Sequence, residues 1–510
     1  MHLNTGNIVV FANRDKLPDD PEKLKSICSS LFDEIVYLEE MLRLIRKQKF
    51  GSGSEQVSHP GMKPLFPSES DDDSSASNNE SEPKTVRSYK RSGRKKSAIP
   101  DNLPRVDHFI DLTDKEKSCQ DCNSSENLKK IADKVSEKLR IIPARAEVIR
   151  YIRPVYSCSK CECIKAAPMP THPIPKSFVS PETLTHILIS KYADGLPLYR
   201  QETSLKRLGI EISRDCMSRW MIQLSDLFSK LTDLMNIDLN AGNMAQIDET
   251  YLQVLKEKNR SPVTKSFLII KAREGPPGKN IVIFKYNPGR TTEVIQQLMD
   301  GFKGHLLSDG LGVYQTLSEK NSDIRRYGCW QHSRRKFTDA LKGLSPSRRK
   351  AALASYAVTS IDRLFKVEKE AGHNTEKRLK LRKEQSEKII EELKSWLDKY
   401  IDSVPKKSLT GKAMHYLKNQ WEPLTGFLTC GLVPISNNYI ENLIRPVAVG
   451  RKAWLFCDSV AGAEASANIY SLLVTAKQNN LNLWEYFNKL MNLLPTAKSE
   501  SDLRTLLPYS

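Results

Sequence analysis

Between residues 245 and 310 the chain runs through four apolar or alternating segments of strand length, AQIDETYLQVL, KSFLIIKA, NIVIFKY and GHLLSDG, with the helical stretch TTEVIQQLMDG ahead of the fourth. Gly, Pro and Asn separate them, which is the pattern of an α/β sheet. Asp248 lies inside the first segment among apolar neighbours, and Asp309 ends the fourth directly before Gly310. A carboxylate inside an apolar strand is costly unless it is paired or binds a metal. Two of them on adjacent strands make a natural half-site for divalent ions.

From Arg334 to about Thr429 long charged helices dominate, among them EKRLKLRKEQSEKIIEELKSWLDKY, and a distinct segment, PISNNYIENLIRPVAVGRKAWLF, follows. Asn437 or Asn438 can cap a helix that carries Glu441, with Arg445 one turn further along the same face. A third carboxylate is thereby offered on a rigid helix, although an exposed surface acid fits the spacing equally. His332, Arg334, Arg335 and Lys336 form one basic cluster near these acids, and Arg445, Arg451 and Lys452 form another. Both can neutralise phosphates. Trp454 suits either stacking on an unpaired base or a place in the core.

Upstream, Leu24, Cys28, Leu31, Ile35, Leu38, Leu42 and Ile45 alternate steps of four and three, the seam of a short coiled coil that would make the chain a homo-oligomer, or else the apolar face of a helix packed on its own domain. Glu69 to Glu82 holds six acids and no base, so it cannot bury a core, and Lys84 to Arg105, with eight bases against Asp101, suits either a solvated linker or an arm that tracks a nucleic-acid backbone. Cys119-Gln-Asp-Cys122 and Cys158-Ser-Lys-Cys161 are two knuckles able to set four thiolates around a structural Zn²⁺, with Cys163 able to replace Cys161 and His108 a weaker substitute. Four protein ligands leave no open position for catalysis. In YRQETSLKRLGIEISRDCMSRW two short amphipathic segments break at Gly209, with Ser213 capping the second. That spacing fits a helix-turn-helix presenting Arg214, Ser218 and Arg219, or an ordinary helical hairpin.

An excess of 79 Lys plus Arg over 61 Asp plus Glu gives a net charge of +18, favouring a polyanionic partner. No run is long and apolar enough for a membrane span, and the beginning lacks a signal-peptide layout, so a cytoplasmic protein is expected. Ten cysteines in 510 residues are too few for a disulfide scaffold.

Taken in order, QIDET, LSDGLGVYQ, CWQHSRRKF and NNYIENLIRPVAVGRKAWLF resemble the bacterial insertion-sequence-sixty-six family of DDE transposases, as do ISKYADGLPLYRQE, the paired knuckles and the heptad segment ending in FGSGSE. The resemblance implies a multidomain protein: an α/β RNase H-like catalytic core with a helical insertion, preceded by a coiled-coil helix, a zinc-binding module and a helical DNA-binding segment. The expected boundaries are 20–50 for the coiled coil, 51–105 for a disordered linker, 106–170 for the zinc module and 178–240 for the helix-turn-helix-like segment. The core then spans 243–342 and 431–495 around an insertion at 343–430.

On this match the catalytic triad is Asp248, Asp309 and Glu441, holding two Mg²⁺ ions for phosphodiester hydrolysis and strand transfer. Double-stranded DNA, both element ends and target, is the implied partner, with small accessory proteins of the element beside it, in a nucleoid-associated setting. Two features depart from the family pattern: Gly310-Leu311 stands where Ala-Tyr is frequent, and Glu249 adjoins the first Asp. Two other functions are weighed against the transposase. One is a transposase-derived, sequence-specific DNA-binding protein without catalysis; the other is a general RNase H-like nuclease.

Overall fold

The structure is a computed structural model that describes residues 20–50, 107, 146–157, 164–342 and 344–510. The chain divides into two compact units, 1–54 with 152–510, and 55–151. Of the second unit, residues 107 and 146–151 are described, exposed and without regular structure. The knuckle cysteines, His108 and the linker at 51–105 lie outside the described residues.

In the first unit, helix α1 (Pro21–Phe50) is followed by a short antiparallel hairpin, β1 (Val155–Ser157) and β2 (Ile164–Ala166). Helices α2 (Pro181–Tyr192), α3 (Leu198–Arg207) and α4 (Arg214–Asn240) come next. Gly209 adopts a left-handed φ of +75°, and the Ser213 hydroxyl accepts the Cys216 N–H at 3.2 Å, so the break and the cap stand where the sequence puts them. The second segment is not short, however. Met217, Met221, Leu224, Phe228, Leu231 and Met235 are buried at helical spacing, so one apolar stripe carries α4 through 27 residues into the main core.

The sheet is built from β3 (Met244–Lys256), β4 (Lys265–Arg273), β5 (Ile281–Asn287), β6 (Gly304–Ser308) and β7 (Ile324–Gly328). Helix α5 (Thr292–Leu298) precedes β6, and α6 (Gly312–Lys320) joins it to β7. In space the order is β5-β4-β3-β6-β7, antiparallel across β5, β4 and β3 and parallel across β3, β6 and β7. Helix α7 (Trp330–Leu341) leaves β7 and enters the helical insertion, which continues as α8 (Pro346–Ala351), α9 (Leu353–Ala371), α10 (Thr375–Leu381), α11 (Glu387–Tyr400), α12 (Leu409–Asn419) and α13 (Trp421–Thr425). The insertion has its own core around Trp330, Phe337, Leu364, Leu393 and Leu417. The chain then returns through α14 (Asn438–Trp454), β8 (Cys457–Ser459), which pairs with the far end of β3, and α15 (Val460–Gln478), α16 (Leu483–Leu493) and α17 (Glu500–Arg504).

Helix α15 also closes one edge of the sheet. Its Thr475 and Ser471 hydroxyls accept from the Val282 and Phe284 N–H groups of β5 at 3.0 and 2.8 Å, and Asn479 pairs with the backbone of Asn280. Polar side chains at i, i+4 and i+8 lie on one helix face, so they satisfy a strand edge that would otherwise be open for pairing.

Helix α1 docks on the insertion by one face. Glu40 accepts the Leu409 N–H at 2.6 Å, Glu34 pairs with Lys407 at 3.0 Å, and the Lys412 ammonium sits over the Tyr37 ring. The heptad residues Leu31, Ile35, Leu38, Leu42 and Ile45 stay exposed.

Candidate active site

Parallel pairing of β3 with β6 brings the first two acids together. Gln246 stands opposite Leu307, so two residues on, Asp248 comes level with Asp309, one strand spacing away, where β6 has just ended. Open α/β sheets place their sites at such carboxyl ends of parallel strands. The Asp248 carboxylate accepts the Glu249 N–H at 2.9 Å. Burial, and then the negative charges of Asp309, Glu249 and Glu441, raise its pKa to about 7.

Asp309 is held by its backbone as much as by its side chain. Its Oδ1 accepts the Leu311 N–H at 3.0 Å, and its carbonyl accepts from Arg326 Nη2 at 2.6 Å. Arg326 is buried on β7 and also donates to Ser308 Oγ, Gln315 Oε1 and, across to the insertion, Gln420 Oε1 at 2.6 Å. Gly310 packs against the Tyr416 ring, where a Cβ would come within 2.6 Å of Cε2.

Glu441 arrives on the first turn of α14. Asn437 occupies the N-cap position, but its side chain does not cap the helix: fully buried, it donates through Nδ2 to the Ile247 carbonyl at 3.0 Å, one residue before Asp248. Its backbone N–H donates to Cys329 Sγ at 3.2 Å, and the Trp330 N–H donates to the Ile435 carbonyl at 2.9 Å. These bonds tie the start of α14 to β3 and to the start of α7, so the third acid approaches the other two. Arg335 Nη2 donates to both Glu441 oxygens, at 3.0 and 3.2 Å.

Strand alternation separates Glu249 from Asp248. The Glu249 carboxylate accepts from Arg290 Nη1 at 2.6 Å and from the Tyr314 hydroxyl at 2.7 Å, with its side chain only 7% exposed. It is committed to the interior on its own side of the strand.

The basic residues divide by what they touch. Arg334 does not face the acids; it is spent on Asp362 of α9, at 2.6 and 3.2 Å. Lys336 lies over the Tyr416 ring, 4.5 Å from its centroid. Arg451 donates to the Tyr251 carbonyl and to Thr250 Oγ1, while Arg445 and Lys452 are exposed on α14. His332 feels the charges of Glu441 and Asp309, and burial holds its pKa below the usual histidine value. Trp454 packs against the main core. Far along the chain, Arg214 and Arg219 are exposed on the first turns of α4, with Ser218 half-buried between them.

Three oxygen-donor acids suit a hard dication such as Mg²⁺. As the side chains stand, no three of His, Cys, Asp or Glu among the described residues are close enough to hold one ion. Glu441 is turned onto Arg335 instead. Arg326, Asn437 as a clamp and Cys329 carry no chemical signal in the sequence, because each acts through partners distant along the chain.

Comparison with known proteins gives this arrangement a family. Residues 176–465, more than half of the chain, match the family described as Transposase IS66 family. Residues 116–162, which include both knuckles, match the zinc-finger binding domain of transposase IS66, and residues 37–107 match the family described as Transposase C of IS166 homeodomain. Among similar proteins of Sinorhizobium fredii, uncharacterized protein y4qI is 30% identical over 433 residues, 82% of this chain and 78% of its own. Uncharacterized protein y4jD is 27% identical over 510 residues, 97% of each chain, and uncharacterized protein y4hP is 26% identical over 466 residues, 88% of this chain and 84% of its own. No described helix is long and apolar enough to cross a membrane. With N-terminal segment, zinc-finger region and core all matched in order along one polypeptide, the chain belongs to the IS66 family of transposases.

Proposed function

We propose that this chain is an active DDE transposase that binds the inverted ends of its insertion sequence, cuts DNA there and joins the freed ends to target DNA. The observation that carries this reading is the convergence at one end of the sheet of Asp248 on β3, Asp309 just past the end of β6 and Glu441 on the first turn of α14, which Asn437 ties to β3. The strand order, three antiparallel strands followed by two parallel ones, supports an RNase H-like core.

Asp248, Asp309 and Glu441 would hold two Mg²⁺ ions, which when bound supply the Lewis acidity that activates a nucleophile and neutralises a leaving 3′ oxygen. The protein's own part is placement. Arg326 fixes the peptide that carries Asp309, and Asn437 fixes the helix that carries Glu441. Arg335 and Lys336, exposed beside the acids, meet the backbone of the bound strand, and Arg445, Arg451 and Lys452 extend that basic surface along α14. Arg214 and Arg219 serve DNA binding on α4. Cys119, Cys122, Cys158 and Cys161 hold a structural Zn²⁺, a role supported by the zinc-finger match. The exposed seam of α1 pairs with a second copy. Accessory proteins of the element and a cytoplasmic, nucleoid-associated setting complete the proposal.

Incubating the purified protein with Mg²⁺ and DNA carrying the flanking element ends, then mapping products strand by strand, tests it. Cuts confined to the element ends are expected. Nicking that ignores sequence would favour a general nuclease, and end binding with no product would leave a transposase-derived DNA-binding protein.

A further inference from the structure

Arg335 and a dication need the same two oxygens. Its side chain, 49% exposed on α7, closes on Glu441 through a single nitrogen, Nη2, leaving Nη1 and Nε outside that contact. The opposing carboxylate is 29% exposed, so solvent reaches both partners. Such a pair is weak, and a guanidinium binds a phosphate through two parallel N–H bonds that it does not use here. Lys336, on the same exposed turn, adds charge for the same anion.

While the pair stands, Glu441 is withheld from Asp248 and Asp309, and the three acids do not form a cage close enough for an ion. A DNA phosphate on Arg335 would release Glu441 toward the other two.

We infer that Arg335 is a substrate-operated latch on Glu441: without DNA it occupies the carboxylate that dications require, and a backbone phosphate draws it off. The latch rests on the reading of the three acids as a metal centre. It couples two binding events, so DNA raises metal affinity and metal raises DNA affinity by one and the same factor. The site then becomes ready for metal when a strand is in place, which guards against hydrolysis without substrate.

The test is Mn²⁺ binding by calorimetry to the full-length, zinc-loaded protein, alone and saturated with a short duplex of random sequence, since phosphate contacts ignore sequence. Asp248→Asn with the same duplex serves as the blank for Mn²⁺ held by DNA. Wild type should bind Mn²⁺ about three- to tenfold more tightly once DNA is present. Arg335→Gln should show that gain already without DNA, with little further gain on adding it. Arg335→Lys, which keeps the charge without the planar fork, should fall between them and guards against a folding defect in the glutamine variant. If Arg335→Gln binds Mn²⁺ no more tightly than wild type without DNA, or keeps the full DNA-dependent gain, the latch is wrong. If Asp248→Asn leaves Mn²⁺ binding untouched, the metal centre itself has failed, a separate outcome.

Discussion

Replacing Asp248 by Asn should make the ion-free protein more stable in alkaline solution, although it removes a residue proposed for catalysis. The cause is the cost of keeping a buried carboxylate charged beside three other acids, Asp309, Glu249 and Glu441. Its pKa is raised from 3.8 to about 7, so the folded protein binds the proton more tightly than the unfolded chain does. Stability from this group is therefore present below about pH 4 and falls as pH rises toward 7. At about 1.4 kcal/mol for each tenfold gain in proton affinity, the rise from 3.8 to about 7 sets a ceiling of ~4 kcal/mol.

Asparagine is nearly isosteric, and its Oδ1 can still accept the Glu249 N–H, so the local structure should survive. Urea unfolding in EDTA, followed across the pH range for both proteins, measures the effect. The two curves should meet in acid and separate steadily up to neutral pH, with the variant ahead by 1 kcal/mol or more, to a limit of ~4 kcal/mol. Adding Mg²⁺ should stabilise the wild type and leave the variant unmoved. A variant no more stable than wild type at alkaline pH, or one whose advantage is the same in acid, would refute the view of Asp248 as an uncompensated charge.

Glu249→Gln should act in the opposite sense, leaving Arg290 without its counter-charge and Tyr314 with a poorer acceptor. A loss of about 2–3 kcal/mol in the same unfolding assay is expected, and no loss would undo the structural role given to this acid. Lys271 is buried, donates to Asn236, Asn240 and the Leu298 carbonyl, and is lowered by burial from 10.5 to about 7. Its contribution makes stability rise with pH between those values, since there the unfolded chain holds the extra proton, so Lys271→Met should flatten that rise and lose most at the alkaline end; an unchanged slope in urea unfolding would refute it. Metal analysis after exhaustive dialysis should find about one zinc per chain, and Cys119→Ser with Cys158→Ser should remove it; retained zinc would end the knuckle assignment.

How far the sequence carries depends on whether a residue acts through neighbours or through distant partners. Strands β3 to β6 were legible because their apolar runs match the strand period and Gly, Pro and Asn punctuate them. The same runs exposed Asp248 and Asp309 as misplaced charges. Strand β7 was harder to see: IRRYG holds two arginines, and only the folded structure shows that Arg326 is buried and satisfied by four side chains and carbonyls. Gly209 and Ser213 mark the break before α4, whereas the stripe from Met217 onward, which belongs to the main core, shows itself as such in the folded structure.

Around Glu441 the sequence supplied the helix but not its attachments. Asn437 looks like a cap and is a clamp, because the buried Ile247 carbonyl, 190 residues away, takes its side chain. Arg334 and Arg335 look equivalent in a basic run, yet helical geometry turns one to Asp362 and the other to Glu441. The alternation of β3 was enough in principle to separate Asp248 from Glu249, since adjacent strand residues face opposite sides.

The most direct measurement is cleavage and binding of element-end DNA, in parallel, by Asp248→Ala, Asp309→Ala and Glu441→Ala in Mg²⁺. Each variant should lose strand cleavage beyond detection while still holding the ends, with affinity moved by no more than the about three- to tenfold coupling between metal and DNA, because the proposal assigns the acids to the reaction and the basic surfaces to the grip. A variant that cuts at the wild-type rate, or one that loses binding in step with cleavage, would contradict the assignment of these three carboxylates to the chemistry.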